Sequence, residues 1–205
     1  MLIASRVEDG RELPMLVWRF AAATTVASTA SCGGGLGARR WLINAQVPHD
    51  YRRRDQSRHG AELAAAAGID QADGTGVVMF TAVDVRRVQE RTEGGLRVDA
   101  TVGLTLPVWA AAPEIAVEPA PGTINIVAQL PVRLTDAALL NALTTATEAK
   151  SQALLAAAVP GTGTASDAVT VVCPASGPAE PFGGPRSTWG ARLARAVHDA
   201  VQAGI

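Results

Sequence analysis

The sequence predicts an α+β or α/β fold: a single layered domain over residues 1–205, with one or more mixed β-sheets, helices packed on the sheet, and an internal pseudo-duplication of β-α-β halves. Three observations lead there. Short runs rich in Val, Ile, Leu and Thr alternate with alanine-rich helical stretches. The string Ala-Gln-Val-Pro at 45–48 returns as Ala-Gln-Leu-Pro at 128–131, each time closing an apolar run that precedes a helix. A chain of 205 residues, 48% hydrophobic and 18% charged, can also bury one full core.

The elements follow in order. Residues 2–20 read as a hairpin about Glu8-Asp9-Gly10-Arg11, since Asp-Gly is a strong two-residue turn signal. A strand of small residues is expected at 24–31, ahead of Gly33-Gly34-Gly35. The run 41–47 has the composition of a buried strand and is closed by Pro48. A polar, arginine-rich loop leads to a helix at about 58–67, stopped by Gly68. Residues 77–82 are expected as a strand, 83–91 as a short helix and 96–104 as a strand. The stretch 111–121, with three prolines, reads as an exposed connection. The order then recurs. The strand ending at Pro131 echoes the one ending at Pro48, helix 153–158 answers 61–67, and strand 169–174 answers 77–82. Pseudo-repeat halves are therefore placed at about 37–105 and 122–180. A Gly183-Gly184-Pro185-Arg186-Ser187 loop and a C-terminal helix over 189–202 complete the domain.

Charge and composition exclude several functions. The formal net charge is −1, so no overall field favours nucleic acid or an anionic membrane. Arginines cluster at 39–40, 52–54 and 86–87; a solvated loop face and a contact for an anionic ligand are both open readings. The two cysteines, Cys32 and Cys173, form no CxxC, and His49, His59 and His198 lie far apart, so no metal site is expected. The first twenty residues carry Arg6, Glu8, Asp9, Arg11 and Glu12, with no apolar stretch suited to a signal peptide or a membrane span. A cytoplasmic protein with reduced thiols is expected, with no nucleic-acid partner; homo-oligomer formation is left open.

One residue stands out by rarity. Lys150 is the only lysine, whereas the other seventeen Lys/Arg positions are arginine. It lies on a predicted helix from Asp136 to about Ala158, with Thr135 as N-cap and Pro160 beyond the end. At 3.6 residues per turn, Lys150 falls within roughly 20–40° of Leu139, Leu143 and Leu154, with Thr147 one turn back. Glu148 lies on a different face. The lysine thus projects from an apolar stripe, where a charge needs a partner or water. A snorkelling or ion-paired structural lysine and a lysine at a polar cleft both satisfy that need. The loop Pro160-Gly-Thr-Gly-Thr-Ala-Ser-Asp167 follows and offers N–H groups and hydroxyls to a ligand oxygen, or simply connects helix to strand. Residues 33–38 match GxGxxA in letters, but a strand follows them and the dinucleotide reading fails. Neither glycine loop carries a Walker lysine, and no GxSxG or HExxH occurs.

Taken in order, several segments resemble the adenosylcobinamide amidohydrolase family of corrinoid salvage. They are Gly37-Ala-Arg-Arg-Trp-Leu-Ile-Asn-Ala-Gln-Val-Pro48, Val98-Asp-Ala-Thr-Val-Gly-Leu-Thr105, Gly122-Thr-Ile-Asn-Ile-Val127, Ala146-Thr-Glu-Ala-Lys150, Gly161-Thr-Gly-Thr-Ala-Ser-Asp167 and Phe182-Gly-Gly-Pro-Arg-Ser-Thr-Trp-Gly190. The likeness spans about residues 18–201. Family members read closer to TGTGTD in the fifth segment, so Ala165-Ser166 reads as an insertion. The resemblance implies hydrolysis of the amide between aminopropanol and a propionyl arm of the corrin, giving adenosylcobyric acid and 1-amino-2-propanol. It implies no cofactor, because the corrinoid and its cobalt are the substrate.

Amide cleavage needs an activated nucleophile, donors for the developing oxyanion and a proton for the leaving amine. A carboxylate (Asp99, Glu148 or Asp167) activating water is one route. A threonine hydroxyl (Thr101, Thr162 or Thr164) attacking with Lys150 as base or proton donor is the other. Lys150, Glu148, Asp99, Thr101 and Asp167 are thus the catalytic candidates. Asn44, Asn125, Thr147, Thr162, Thr164, Gly34 and Gly35 are the substrate-binding ones. Plain structural roles compete throughout: Asp99 capping a turn, Asn125 satisfying a strand edge, Cys32 filling a small buried space. A corrinoid-binding or transport-accessory protein without catalysis, and a phosphate-ester enzyme using the arginine clusters, are the alternative classes.

Overall fold

A computed structural model describes residues 1–113 and 122–205; the 114–121 part of the expected proline-rich connection lies outside them. The chain begins with β1 (Leu2–Glu8) and β2 (Arg11–Ser28), paired antiparallel from Leu2↔Val17 to Glu8↔Arg11. Asp9 and Gly10 hold φ of 49° and 74°, the paired left-handed conformation of the tight hairpin turn that Asp-Gly favours. The strand expected separately at 24–31 is instead the second half of β2, because Ala21-Ala22-Ala23 offers nothing to end a strand.

The remaining elements are β3 (Gly35–Gln46), α1 (Gln56–Ala66), β4 (Gly76–Thr81), β5 (Gln89–Glu93), β6 (Leu96–Val102), β7 (Ile124–Gln129), β8 (Arg133–Leu134), α2 (Asp136–Ala156), β9 (Ala168–Pro174), β10 (Ala179–Glu180) and α3 (Thr188–Gly204). The short helix expected at 83–91 is absent. Asp84 accepts a hydrogen bond from the Arg86 N–H and opens a single 3₁₀ turn at Val85–Arg87. Residues Gln89–Glu93 then form a strand, closed by Gly94-Gly95 into an antiparallel hairpin with β6. Helix α2 begins as its sequence suggests, the Thr135 hydroxyl accepting from the Ala138 N–H. Ser187 caps α3 in the same way through the Gly190 N–H.

Eight strands form one mixed sheet in the order β4-β3-β2-β9-β7-β6-β5, with β1 beside the first half of β2. Two neighbouring pairs are parallel, β3 with β4 and β7 with β9, and each is joined through a helix, α1 and α2 respectively. The short strands β8 and β10 pair separately. Among the described residues the fold is α+β, a single domain with three α-helices against a mixed sheet.

The sheet does not stay flat. Between Arg19 and Thr24, β2 takes five residues to pass what β3 covers in two, from Trp41 to Arg39. A bulge of this kind bends and twists a strand, and here it folds the sheet over. Strands three and four places apart in the order then face one another. The Trp18 indole N–H donates to Asp99 on β6 at 3.0 Å, and the Asn44 side-chain amide donates to the Thr101 hydroxyl at 3.0 Å. Three apolar layers result. Leu16, Trp18, Leu42, Val77 and Met79 meet Val26, Val127, Ala168 and Val172 between the two sheet halves. Outside one half, Met15, Val17, Ile43 and Val78 pack on Leu63 and Ala64 of α1. Outside the other, Val98, Ile124, Ile126, Val169 and Val171 pack on α2 and α3. The alanines at 138, 142, 146, 149 and 153 are buried on the inner side of α2, and Leu193, Ala196, Val197, Ala200 and Val201 on that of α3.

Asp99 ties the inner layer. Its carboxylate is fully buried and accepts from the Trp18 indole and the Arg97 guanidinium. Replacing Asp99 by Ala strands the buried Trp18 indole N–H and leaves the partly exposed Arg97 to Glu90. We expect a loss of about 1–3 kcal/mol in unfolding free energy, read from urea titrations. Glu90→Ala removes only the exposed second partner of Arg97 and should cost no more than about 1 kcal/mol.

Candidate functional site

The helix that carries Lys150 ends at Ala156, and the loop after it doubles back toward the start of β9. Lys150 is 6% exposed, and its ammonium donates to Asp167 Oδ2 at 2.5 Å. The same carboxylate accepts the Thr164 N–H (3.0 Å), the Thr164 hydroxyl (2.5 Å) and the Ile124 N–H (2.9 Å). Gly163 lies directly against the ion pair: a Cβ there would overlap both Asp167 Oδ2 and Lys150 Nζ. The carbonyl of Gly122 takes the Thr164 hydroxyl at 2.8 Å, and Ser166 and Thr123 share a hydroxyl–hydroxyl bond of 2.9 Å. The extra Ala165-Ser166 step therefore leaves Asp167 on Lys150, and Ser166 finds a partner of its own.

This loop forms one wall of a cleft of about 850 Å³. The cleft opens where β3 and β4 end and β7 and β9 begin. Its other walls are residues 29–31 after β2, residues 47–52 after β3, and residues 79–82. At its floor, Asn125 donates through one amide nitrogen to Asn44 Oδ1 (2.8 Å) and to the Phe80 carbonyl (3.1 Å). The Phe80 carbonyl fixes which way the Asn125 amide points, because a flipped amide would set two oxygens together. Asn125 Oδ1 is then buried with no partner among the described residues, as is Gln46 Oε1. A bare buried acceptor costs about 1–3 kcal/mol, and the Asn125 oxygen belongs to a residue that lines the cleft.

The candidate residues from the sequence divide into groups. Asp167 and Asn125 line the cleft. Lys150 and Thr164 stand behind Asp167 and bond to it, and Asn44 and Thr101 stand behind Asn125. Thr147 turns along its own helix, donating to the Leu143 carbonyl, and Thr162 accepts the Ala110 N–H. Glu148 is exposed on the outer side of α2, and Asp99 is sealed in the inner layer by Trp18 and Arg97. Gly34 lies in the β2–β3 connection and Gly35 opens β3; the Arg39 guanidinium binds the Gly33 and Gly34 carbonyls. Cys32 is half-buried beside Gly60, and burial pushes its thiol up, away from the reactive thiolate.

The sequence reading passed over a further constellation in the cleft wall. Tyr51, the only tyrosine in the chain, lines the cleft, and its hydroxyl lies 2.8 Å from His59 Nδ1. His59 Nε2 lies 3.3 Å from Glu8 Oε1, and Glu8 is held by Arg6 at 2.6 Å. Both rings stack on Phe80, with centroids 5.6 and 5.4 Å away. Burial lowers the His59 pKa and raises that of Tyr51 to about 12. The rarity argument that picked out Lys150 would have picked out Tyr51 equally. Its partners could not be found that way, because Glu8 comes from a strand more than forty residues earlier.

The Lys150–Asp167 pair gives a direct stability test. Lys150→Met leaves a buried carboxylate uncompensated and should cost about 3–5 kcal/mol. In an Asp167→Asn background, which carries no such charge, the same substitution should cost markedly less. A double-mutant cycle by chemical denaturation reads the difference.

Comparison with known proteins identifies the family of the chain. The sequence profile of the adenosylcobinamide amidohydrolase family matches residues 2–205. A Halobacterium salinarum protein named adenosylcobinamide amidohydrolase is 35% identical over 186 residues, which is 87% of this chain and 78% of that protein. One of the same name from Methanosarcina mazei is 29% identical over 188 residues, 87% of this chain and 89% of that protein. The chain therefore belongs to the adenosylcobinamide amidohydrolase family and is a hydrolase.

Proposed function

We propose that the protein hydrolyses the aminopropanol amide of adenosylcobinamide, releasing adenosylcobyric acid and 1-amino-2-propanol in corrinoid salvage, and that the reaction takes place in the cleft between the Lys150–Asp167 loop and the end of β4. The observation that carries this reading is the unmet Oδ1 of Asn125, a residue that lines the cleft. An unpartnered acceptor suits a ligand with an amide N–H, and the scissile group of this substrate has one. Donation of that N–H to Asn125 fixes the plane of the amide and so the face that water can approach. The Lys150–Asp167 pair acts as the clamp that shapes the facing loop. Asn44 and Thr101 hold Asn125 from behind. On this reading the protein acts in the cytoplasm; among the described residues no helix is long and apolar enough to cross a membrane.

The test is incubation of the purified protein with adenosylcobinamide and quantification of both products by mass spectrometry. Equimolar release is expected. A shift in the corrinoid spectrum without release would instead identify a binding protein. Asn125→Ala should lower kcat/KM by about 10–100-fold, the equivalent of roughly 1.4–2.8 kcal/mol of transition-state stabilisation.

We also propose that the protein needs no metal of its own, since its histidines and cysteines are dispersed and, among the described residues, no three His, Cys, Asp or Glu side chains converge. Turnover should then survive exhaustive chelation. Activity that returns only on adding zinc to the chelated protein would overturn this.

A further inference from the structure

The groups first expected to activate water are already engaged. Asp167 accepts four hydrogen bonds, the Thr101 hydroxyl accepts from Asn44, and the Thr164 hydroxyl is shared between Asp167 and the Gly122 carbonyl. A base whose lone pairs are committed to four donors is a poor acceptor for a fifth proton. The cleft holds another arrangement that does present a proton-transfer group to the substrate side.

We propose that Tyr51, His59 and Glu8 form the proton relay of this site, with Tyr51 as the catalytic residue that touches the attacking water, and His59 and Glu8 acting through it. This rests on the amide-hydrolysis reading above. The geometry is a hydroxyl, an imidazole and a carboxylate in series. Tyr51 Oη lies 2.8 Å from His59 Nδ1, and His59 Nε2 lies 3.3 Å from Glu8 Oε1. Only the first member lines the cleft. His59 is 1% exposed, so its ring is shielded from bulk water and cannot exchange protons with solvent freely.

The carboxylate fixes the tautomer. Glu8 accepts from Nε2–H, which leaves Nδ1 bare to accept from the Tyr51 hydroxyl. Burial keeps the resting imidazole neutral and the resting phenol protonated, so the relay waits in the form that can accept a proton. Stacking of both rings on Phe80 holds them in place, and the Phe80 carbonyl also binds Asn125. One residue therefore connects the relay to the group that would orient the amide.

The step balances as follows. One O–H bond of water breaks, and that proton goes to Tyr51 Oη while the proton already on Tyr51 passes to His59 Nδ1. The water oxygen forms a bond to the amide carbon, and the carbonyl π pair moves to its oxygen. His59 is now a cation facing the Glu8 carboxylate. The proton then returns by the same path to the amide nitrogen as the C–N bond breaks, the bonding pair leaving on nitrogen and the oxyanion pair re-forming the C=O bond of the acid. Water and amide are consumed, and acid and amine are formed.

Tyr51→Phe keeps the stacked ring and removes only the hydroxyl. With adenosylcobinamide as substrate, kcat should fall by about 100-fold or more while KM stays within about threefold, in line with the usual 10²–10⁴-fold worth of positioned acid–base catalysis. Glu8→Gln can still accept from His59 but cannot balance its charge, and it should also lower kcat at least about tenfold at unchanged KM. A purely structural role for these residues would change stability and leave that split absent. A loss in kcat below tenfold for folded Tyr51→Phe overturns the relay and leaves the hydrolase reading standing. Should Tyr51→Phe not fold, a Glu8→Gln protein with unchanged kcat overturns it equally. A wild-type protein that releases no aminopropanol overturns the function, and the relay falls with it.

Discussion

The fold turns on the stretch of β2 between Arg19 and Thr24, where its register against β3 slips. Without the slip, β3 and β6 would lie on the same broad sheet with three strands between them. With it, the two halves of the sheet face each other and share an inner layer of side chains. Asn44 can then reach Thr101 and Asn125, which are 57 and 81 residues away in sequence. The cleft is the unclosed end of this inner layer. The groups proposed to act there come from the two halves of the sheet, from loops leaving them and from the helices packed outside, so the angle at the slip sets the distance between the orienting amide and the facing loop.

The interior of the protein holds more polar groups than a simple core would, and their partners sort them. Asp99, Asn44, Thr101 and Thr170 are buried and engaged, by Trp18 and Arg97, by each other, and by Ser28. Burial of such groups is tolerable because each donor and acceptor is met. Among the described residues the buried side-chain oxygens left without a partner are those of Asn125 and Gln46, and the Tyr51 hydroxyl of the cleft wall bonds to a buried imidazole. Bonds internal to the fold shape the cleft, and residues that line it are the ones proposed to meet the substrate. The lone lysine belongs to the first kind, since its ammonium is spent on Asp167 and it reaches the cleft only through that carboxylate.

Local features were legible in the sequence. Asp9-Gly10 fixed the first turn, Thr135 the start of α2, and the angular position of Lys150 its burial beside Leu139 and Leu154. Asn125 and Asp167 were also marked, through the segments that resemble the family. What escaped depended on distant partners. The run 83–91 has no strong periodicity, and it becomes a turn and a strand only because β6 is there to pair with. The alanines at 21–23 carry β2 through a bend that no turn residue announces. His59 was weighed as a metal ligand and set aside because the other histidines are far off. Its true neighbours, Glu8 and Tyr51, are of other residue types and come from a strand and a loop that meet only when the sheet is built.

The placement of β9 sets the order in which this chain can complete itself. Its partners are β2 and β7, so a strand made late in synthesis occupies the middle of the sheet. Ser28 and Thr170, bonded across that junction, are separated by 142 residues. Until β9 arrives, the second half of β2 has one edge open and β7 lacks its parallel neighbour. Contacts of such long range are slow to form, and an open strand edge invites pairing with another chain. A nascent or partly unfolded molecule would expose that slot, and the cleft, which borrows Ala168 from β9 and Asp167 from just before it, would be among the last parts of the protein to take shape.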